Sequence, residues 1–142
     1  MVYEMQSSEL RKHLREVFDR VDHGALAVVT RRGSAKRHAL LPLEEIAPHF
    51  EQYEFTPEVI TDQPDGSVAV WVGELGIYGS GATLSEALDD LVSEALLYLE
   101  EWEQGLSAAP NHAGRRGWVR RLQLHGDDRA ALQAILSGPT QD

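Results

Sequence analysis

The sequence predicts an α+β protein built from two small modules in series. A β-α-β-β-α unit occupies residues 1–50 and a β-β-β-α(-β) sheet-and-helix unit occupies residues 51–105. Residues 106–142 add a linker, a strand and a helix that either pack on the middle module or contact a partner. Three observations lead there. Apolar residues recur at helical spacing in two stretches, Leu10 to Val21 and Leu84 to Trp102. Short apolar runs bounded by Gly, Pro and Ser read as strands between and around them. The charge also changes sign along the chain.

The 142 residues carry 23 Asp or Glu and 13 Lys or Arg, a net charge of −10 that describes no single segment. Residues 1–37 hold eight basic and five acidic side chains, residues 38–114 hold fifteen acids and no Lys or Arg, and residues 115–142 hold five basic and three acidic ones. Such asymmetry points to segments with different partners. A hydrophobic fraction of 42% supports a packed core. The absence of Cys excludes disulfides, thiolate metal sites and Cys nucleophiles. No apolar run approaches the ~20 residues of a membrane-spanning helix, and the N-terminus has no signal-peptide pattern, so a cytoplasmic protein is expected.

Val2 to Met5 reads as a strand, with Ser7 or Ser8 as the cap of the helical segment after it. Leu10, Leu14, Val17, Phe18 and Val21 form the apolar stripe of a helix or helix pair that ends at Gly24. Its polar face is rich in i,i+4 pairs, Lys12 with Glu16, Arg15 with Asp19 and Glu16 with Arg20. Ala25 to Thr30 and His38 to Leu41 form a hairpin around Arg31-Arg32-Gly33-Ser34, and Leu43 to Phe50 a short helix. Arg31, Arg32, Lys36 and Arg37 crowd the hairpin tip with no acid near them in sequence. Such a cluster suits phosphate contacts, whose binding is salt-dependent through counterion release. A unit this short buries little surface alone. Dimerisation would complete it and double the basic footprint into a two-fold reader of palindromic DNA.

Glu58 to Asp62, Ser67 to Val72 and Ile77 to Gly81 read as three strands, the second apolar enough to be covered on both faces, with Pro64-Asp65-Gly66-Ser67 as a turn. Thr83-Leu84-Ser85-Glu86 is a capping box opening a long helix that Gly105 closes. That helix carries like-charge i,i+4 pairs, Glu86–Asp90 and Asp90–Glu94, and places Glu100, Glu101 and Glu103 at the unfavourable end of its dipole. Relief comes either from Arg115, Arg116, Arg120 and Arg121 or from a basic partner meeting Glu94, Glu100, Glu101 and Glu103. Gly105 to Gly114 is a linker by composition. Trp118 to Leu124 reads as a strand, with Trp118, Leu122 and Leu124 on one side, and Asp127 or Asp128 caps a last helix through Leu136.

These residues carry two family resemblances. Ser8-Glu9-Leu10-Arg11-Lys12-His13-Leu14, Val21-Asp22-His23-Gly24, Val28-Val29-Thr30-Arg31-Arg32-Gly33 and Leu41-Pro42-Leu43-Glu44-Glu45 together resemble the N-terminal domain of Phd/YefM antitoxins. The resemblance implies a dimer that binds operator DNA for autorepression and neutralises a toxin encoded beside it. The family's basic DNA contacts fall on Arg11 and Arg31, and less securely on Arg32. Asp65-Gly66-Ser67-Val68-Ala69-Val70, Gly73-Glu74-Leu75-Gly76 and Gly81 to Leu88 resemble the HicB antitoxin fold over residues 57–103. Toxins of the RelE ribonuclease type are basic, which makes such a toxin the partner that the resemblance implies for the acidic segment.

No catalytic constellation is present in the sequence. The six histidines have no metal-ligand spacing, and Gly76, Gly79 and Gly81 lack the pattern of a phosphate loop. Asp62, Asp65 and Glu74 are the carboxylates available to a divalent ion, but their turn positions favour solvation. No cofactor, metal or enzymatic activity is therefore expected. Competing readings are a transcriptional regulator or interaction module derived from an antitoxin but lacking a toxin partner, and a small hydrolase using the middle sheet.

Overall fold

In the computed structural model, which describes residues 2–139, the chain divides after Pro48 into two compact units. The first contains β1 (Val2–Gln6), α1 (Ser7–Lys12), α2 (Leu14–Asp22), β2 (Leu26–Thr30) and β3 (Arg37–Leu40); α3 (Leu43–Glu51) runs across the boundary. β2 is the centre of its sheet, parallel to β1 and antiparallel to β3. The parallel pair requires a crossover, and the two short helices supply it. Met5, Ala27 and Val29 on one sheet face meet Val17 and Val21 of α2 to form the core.

The helical stripe is broken at His13, whose backbone (φ −125°, ψ 33°) separates α1 from α2. This break parts Lys12 from Glu16, and none of the three expected i,i+4 ion pairs forms among the described residues. Ser7 and Ser8 are not caps either. β1 passes straight into α1, so Gln6 occupies the cap position and makes no side-chain capping bond, while both serines lie within the helix.

The second unit holds β4 (Glu58–Ile60), β5 (Val68–Val72), β6 (Ile77–Gly81) and α4 (Leu84–Gln104). Two 3-10 turns (Leu106–Ala108 and Ala113–Arg115) then lead to α5 (Arg116–Gln123) and α6 (Arg129–Leu136). The sheet is an antiparallel meander with β5 in the middle. Half of the expected capping box forms: Thr83 Oγ1 accepts from the Glu86 N–H at 3.2 Å, whereas the Glu86 carboxylate accepts at 2.7 Å from the N–H of Ala82, the residue before the cap, rather than from Thr83. α4 covers one sheet face only, burying Val70 and Val72 against Ala87, Leu91 and Ala95. The expectation that β5 is covered on both faces fails, because Trp71 points to the other side and is exposed.

The strand expected over Trp118–Leu124 is also not formed; those residues belong largely to α5. Adjacent Arg120 and Arg121 interrupt any two-residue alternation. Val119 and Leu122, three apart, fall on one helical face, and both are fully buried. Together with Leu132 and Leu136 of α6 they complete the core of the second unit. Each such side chain contributes about 1.5–3 kcal/mol on burial, so the C-terminal segment is an integral layer of this unit. Asp128 caps α6, accepting from the Ala131 N–H at 3.2 Å. Among the described residues no helix is long and apolar enough to cross a membrane.

Candidate nucleic-acid and partner interfaces

The register of the first sheet gathers the basic residues of the hairpin, Arg31, Arg32, Lys36 and Arg37, at the end where α1 begins. Gln6 pairs with Thr30, and Thr30 with Arg37. The start of α1, the Arg31–Lys36 tip and the first residue of β3 therefore emerge together. The tip is shaped by a turn in which the Ser34 N–H donates to the Arg31 carbonyl at 3.1 Å, Gly33 having the positive φ of 77° that the turn requires. Ser34 Oγ then accepts from the Lys36 N–H at 3.1 Å. Arg31, Arg32 and Lys36 are exposed. Arg11 lines a shallow hollow on α1 with Lys12, Ser7 and Ser8. Lys12, which its spacing pairs with Glu16 in the sequence, makes no ion pair among the described residues. Arg37 differs from its neighbours: it reaches across the sheet to an ion pair with Glu4, a partner 33 residues away.

In the second unit two of the four expected arginines, Arg115 and Arg116, reach the acidic helix, but at its aromatic side chains rather than its carboxylates. Among the described residues its one ion pair is Arg129–Asp89 at 2.9 Å. Arg115 instead donates to the Leu75 carbonyl at 2.7 Å and to Tyr98 Oη at 3.3 Å, beside His112. Arg116 lies over the Trp102 ring, 5.3 Å from its centre. Arg121 donates to the Tyr53 carbonyl at 2.7 Å, and Arg120 to Gln123. Backbone donors do the rest: Asp90 accepts from the Ser80 N–H at 2.9 Å, as Glu86 does from Ala82. Glu94, Glu100, Glu101 and Glu103 are exposed and make no ion pair among the described residues. The sequence signal for Arg129 is its place at the start of the last helix, a weaker one than the density of the Arg115–Arg121 cluster.

The carboxylates considered for a cation are dispersed. Glu74 accepts from the Thr56 N–H and Oγ1 at 2.9 and 2.7 Å. Asp65 accepts from the N–H and hydroxyl of Ser67, which hold its carboxyl below the ordinary aspartate pKa. Among the described residues no group of three or more His, Asp or Glu is placed to hold a metal ion.

The profile of a family described as PHD_like, antitoxin of RelE/RelB toxin–antitoxin systems, matches residues 1–136. The chain belongs to this antitoxin family. The family consists of antitoxins rather than enzymes. A solved structure from Syntrophomonas wolfei subsp. wolfei, described as the antitoxin part of a candidate toxin/antitoxin system, superposes with a TM-score of 0.71 at 15% identity. The match covers 93% of this antitoxin and 94% of that chain, so the two share a fold over nearly their whole length. No curated protein matches the sequence significantly.

Proposed function

We propose that the two units of this antitoxin divide its work. The first, a Phd/YefM-like module, binds operator DNA as a homodimer and represses its own operon. The second, a HicB-like module, neutralises a basic toxin, of the RelE-like ribonuclease kind, by direct binding in the cytoplasm. The observation that carries the reading is the separation of charge onto different units. Arg31, Arg32, Lys36 and Arg37 of the first converge at one sheet end through the Gln6–Thr30–Arg37 register, and the second, residues 49–142, carries sixteen acidic side chains against five arginines.

On this reading Arg11, Arg31, Arg32, Lys36 and Arg37 face phosphates, and Glu94, Glu100, Glu101 and Glu103 face the toxin. The homodimer is supported by apolar side chains left bare on the first unit: Leu14 and Phe18, one turn apart on α2, are 50% and 46% exposed. A mobility-shift assay with the DNA upstream of the gene tests the first half. Binding that falls steeply with salt and is lost in Arg31→Ala/Arg32→Ala supports it, whereas binding indifferent to both refutes it. Co-expression with the adjacent reading frame tests the second half through complex formation and rescue of growth.

A further inference from the structure

The sheet of the second unit leaves one face bare. Antiparallel pairing sets Glu58, Trp71 and Tyr78 side by side on it, and Ile60, Ala69 and Ser80 in the next row. Trp71 is 39% and Tyr78 60% exposed. Tyr78 and Ser80 also line a hollow at the outer edge of β6 together with Asp90 and Glu94. An aromatic face thus passes over a sheet edge onto two carboxylates, with Glu58 on its opposite margin.

We propose that this surface is the seat of the toxin, which meets it with Arg or Lys side chains; the proposal rests on the antitoxin reading and deepens it. Charge complementarity selects the occupant. Aromatic rings attract cations through their π-faces, and a carboxylate beside them offers the same guanidinium or ammonium a charge-assisted hydrogen bond. Asp90 accepts from the Ser80 N–H, but no Lys or Arg occurs between residues 38 and 114 to neutralise these acids within the sheet or α4. A second copy paired through the same face would bring together two surfaces that both carry Glu58, Asp90 and Glu94. A nucleic acid would set phosphates against them. Trp, Tyr and Arg are also the residue types that dominate binding energy at protein interfaces. The aromatic pair is the anchor on this account, and the acids of α4 steer the approach.

The test uses the full chain and, as probe, the purified toxin encoded by the reading frame beside its own, titrated by calorimetry. Trp71→Ala/Tyr78→Ala removes two exposed side chains. It is expected to weaken binding about 30-fold or more, the loss typical of an interface anchor. Glu94→Lys alters only an exposed helix position and is expected to weaken binding about tenfold, so the surface is tested even if the double variant unfolds. Thermal unfolding of each variant identifies loss of fold. Both variants binding within about twofold of wild type, well short of an anchor's loss, overturns the surface, while tight binding by the wild-type chain in the same experiment keeps the antitoxin reading. Failure of the wild-type chain to bind overturns both. Self-association that Trp71→Ala/Tyr78→Ala abolishes, with toxin binding unchanged, assigns the face to a second copy and overturns the proposal.

Discussion

Arg129 holds Asp89 twice, its guanidinium donating to the side-chain carboxylate and to the main-chain carbonyl, each at 2.9 Å. The same nitrogen lies 3.1 Å from Ser93 Oγ. The contact joins α6 to the acidic helix, but the Arg129 and Asp89 side chains are still 45% and 73% exposed. Exposed pairs of this kind contribute at most about 1 kcal/mol. Arg129→Ala is therefore expected to lower stability by no more than that in urea unfolding, and less at high salt.

The acids at the C-terminal end of α4 work against the helix that bears them. Glu100, Glu101 and Glu103 lie where the dipole disfavours negative charge, and no basic residue occupies the last turn. Replacing all three by Gln is expected to stabilise the chain by roughly 0.5–2 kcal/mol, a few tenths or more each. The same variant should lose affinity for a basic toxin, most clearly in its association rate at low salt. Gain of stability together with loss of binding separates a functional acidic face from an idle one.

At Gly79 the backbone of β6 lies against that of α4, with no room for a side chain. A Cβ built on it falls 2.3 Å from the Ala87 carbonyl oxygen and from the Leu91 nitrogen. Gly79→Ala forces β6 and α4 apart and is expected to destabilise the chain by about 1–3 kcal/mol or more, as overpacked cores do. Chemical denaturation measures it. The glycines of this strand, interruptions in the sequence pattern, are what let α4 lie on the sheet.

Asp65 gives a small pH dependence with a definite sign. Hydrogen bonds from the Ser67 side chain and backbone favour its ionised form and lower its pKa. The stabilisation is present above the unfolded-state aspartate value and is lost as pH falls through the lower folded value. Carbon-detected NMR titration should place this carboxyl below an ordinary aspartate, and Asp65→Asn should slightly flatten the acid limb of the stability curve.

Much of this architecture is legible in the sequence, and the reasons are local. Thr83 and Glu86 announce the start of α4, Gly105 its end, and the Arg31–Ser34 turn its hairpin, because caps and turns depend on a few neighbouring residues. Sequence and structure part where distant partners decide. Trp118 to Leu124 reads as a strand from three residues on one side, but helical packing of Val119 and Leu122 into the second core prevails. The basic cluster is legible as composition. The Arg37–Glu4 pair is not, because strand register alone brings those residues together. The bare face bearing Trp71 and Tyr78 is hidden for the same reason, since an apolar run does not reveal which of its faces is covered.

Arg37 should accordingly behave differently from its neighbours on DNA. Arg31→Ala/Arg32→Ala is expected to lower the dependence of log K on log salt by about 0.9 for each phosphate contact removed. Arg37→Ala should have a smaller effect, because its charge is already engaged by Glu4. Glu4→Gln frees the guanidinium and should strengthen binding. Binding isotherms at several salt concentrations read all three.

The division of labour between the units is the central claim, and titration of the toxin into full-length Arg31→Ala/Arg32→Ala tests it most directly. The account predicts a toxin affinity indistinguishable from wild type in a variant that no longer binds its operator. Loss of toxin binding in that variant, or no toxin binding by the wild-type chain, would contradict it.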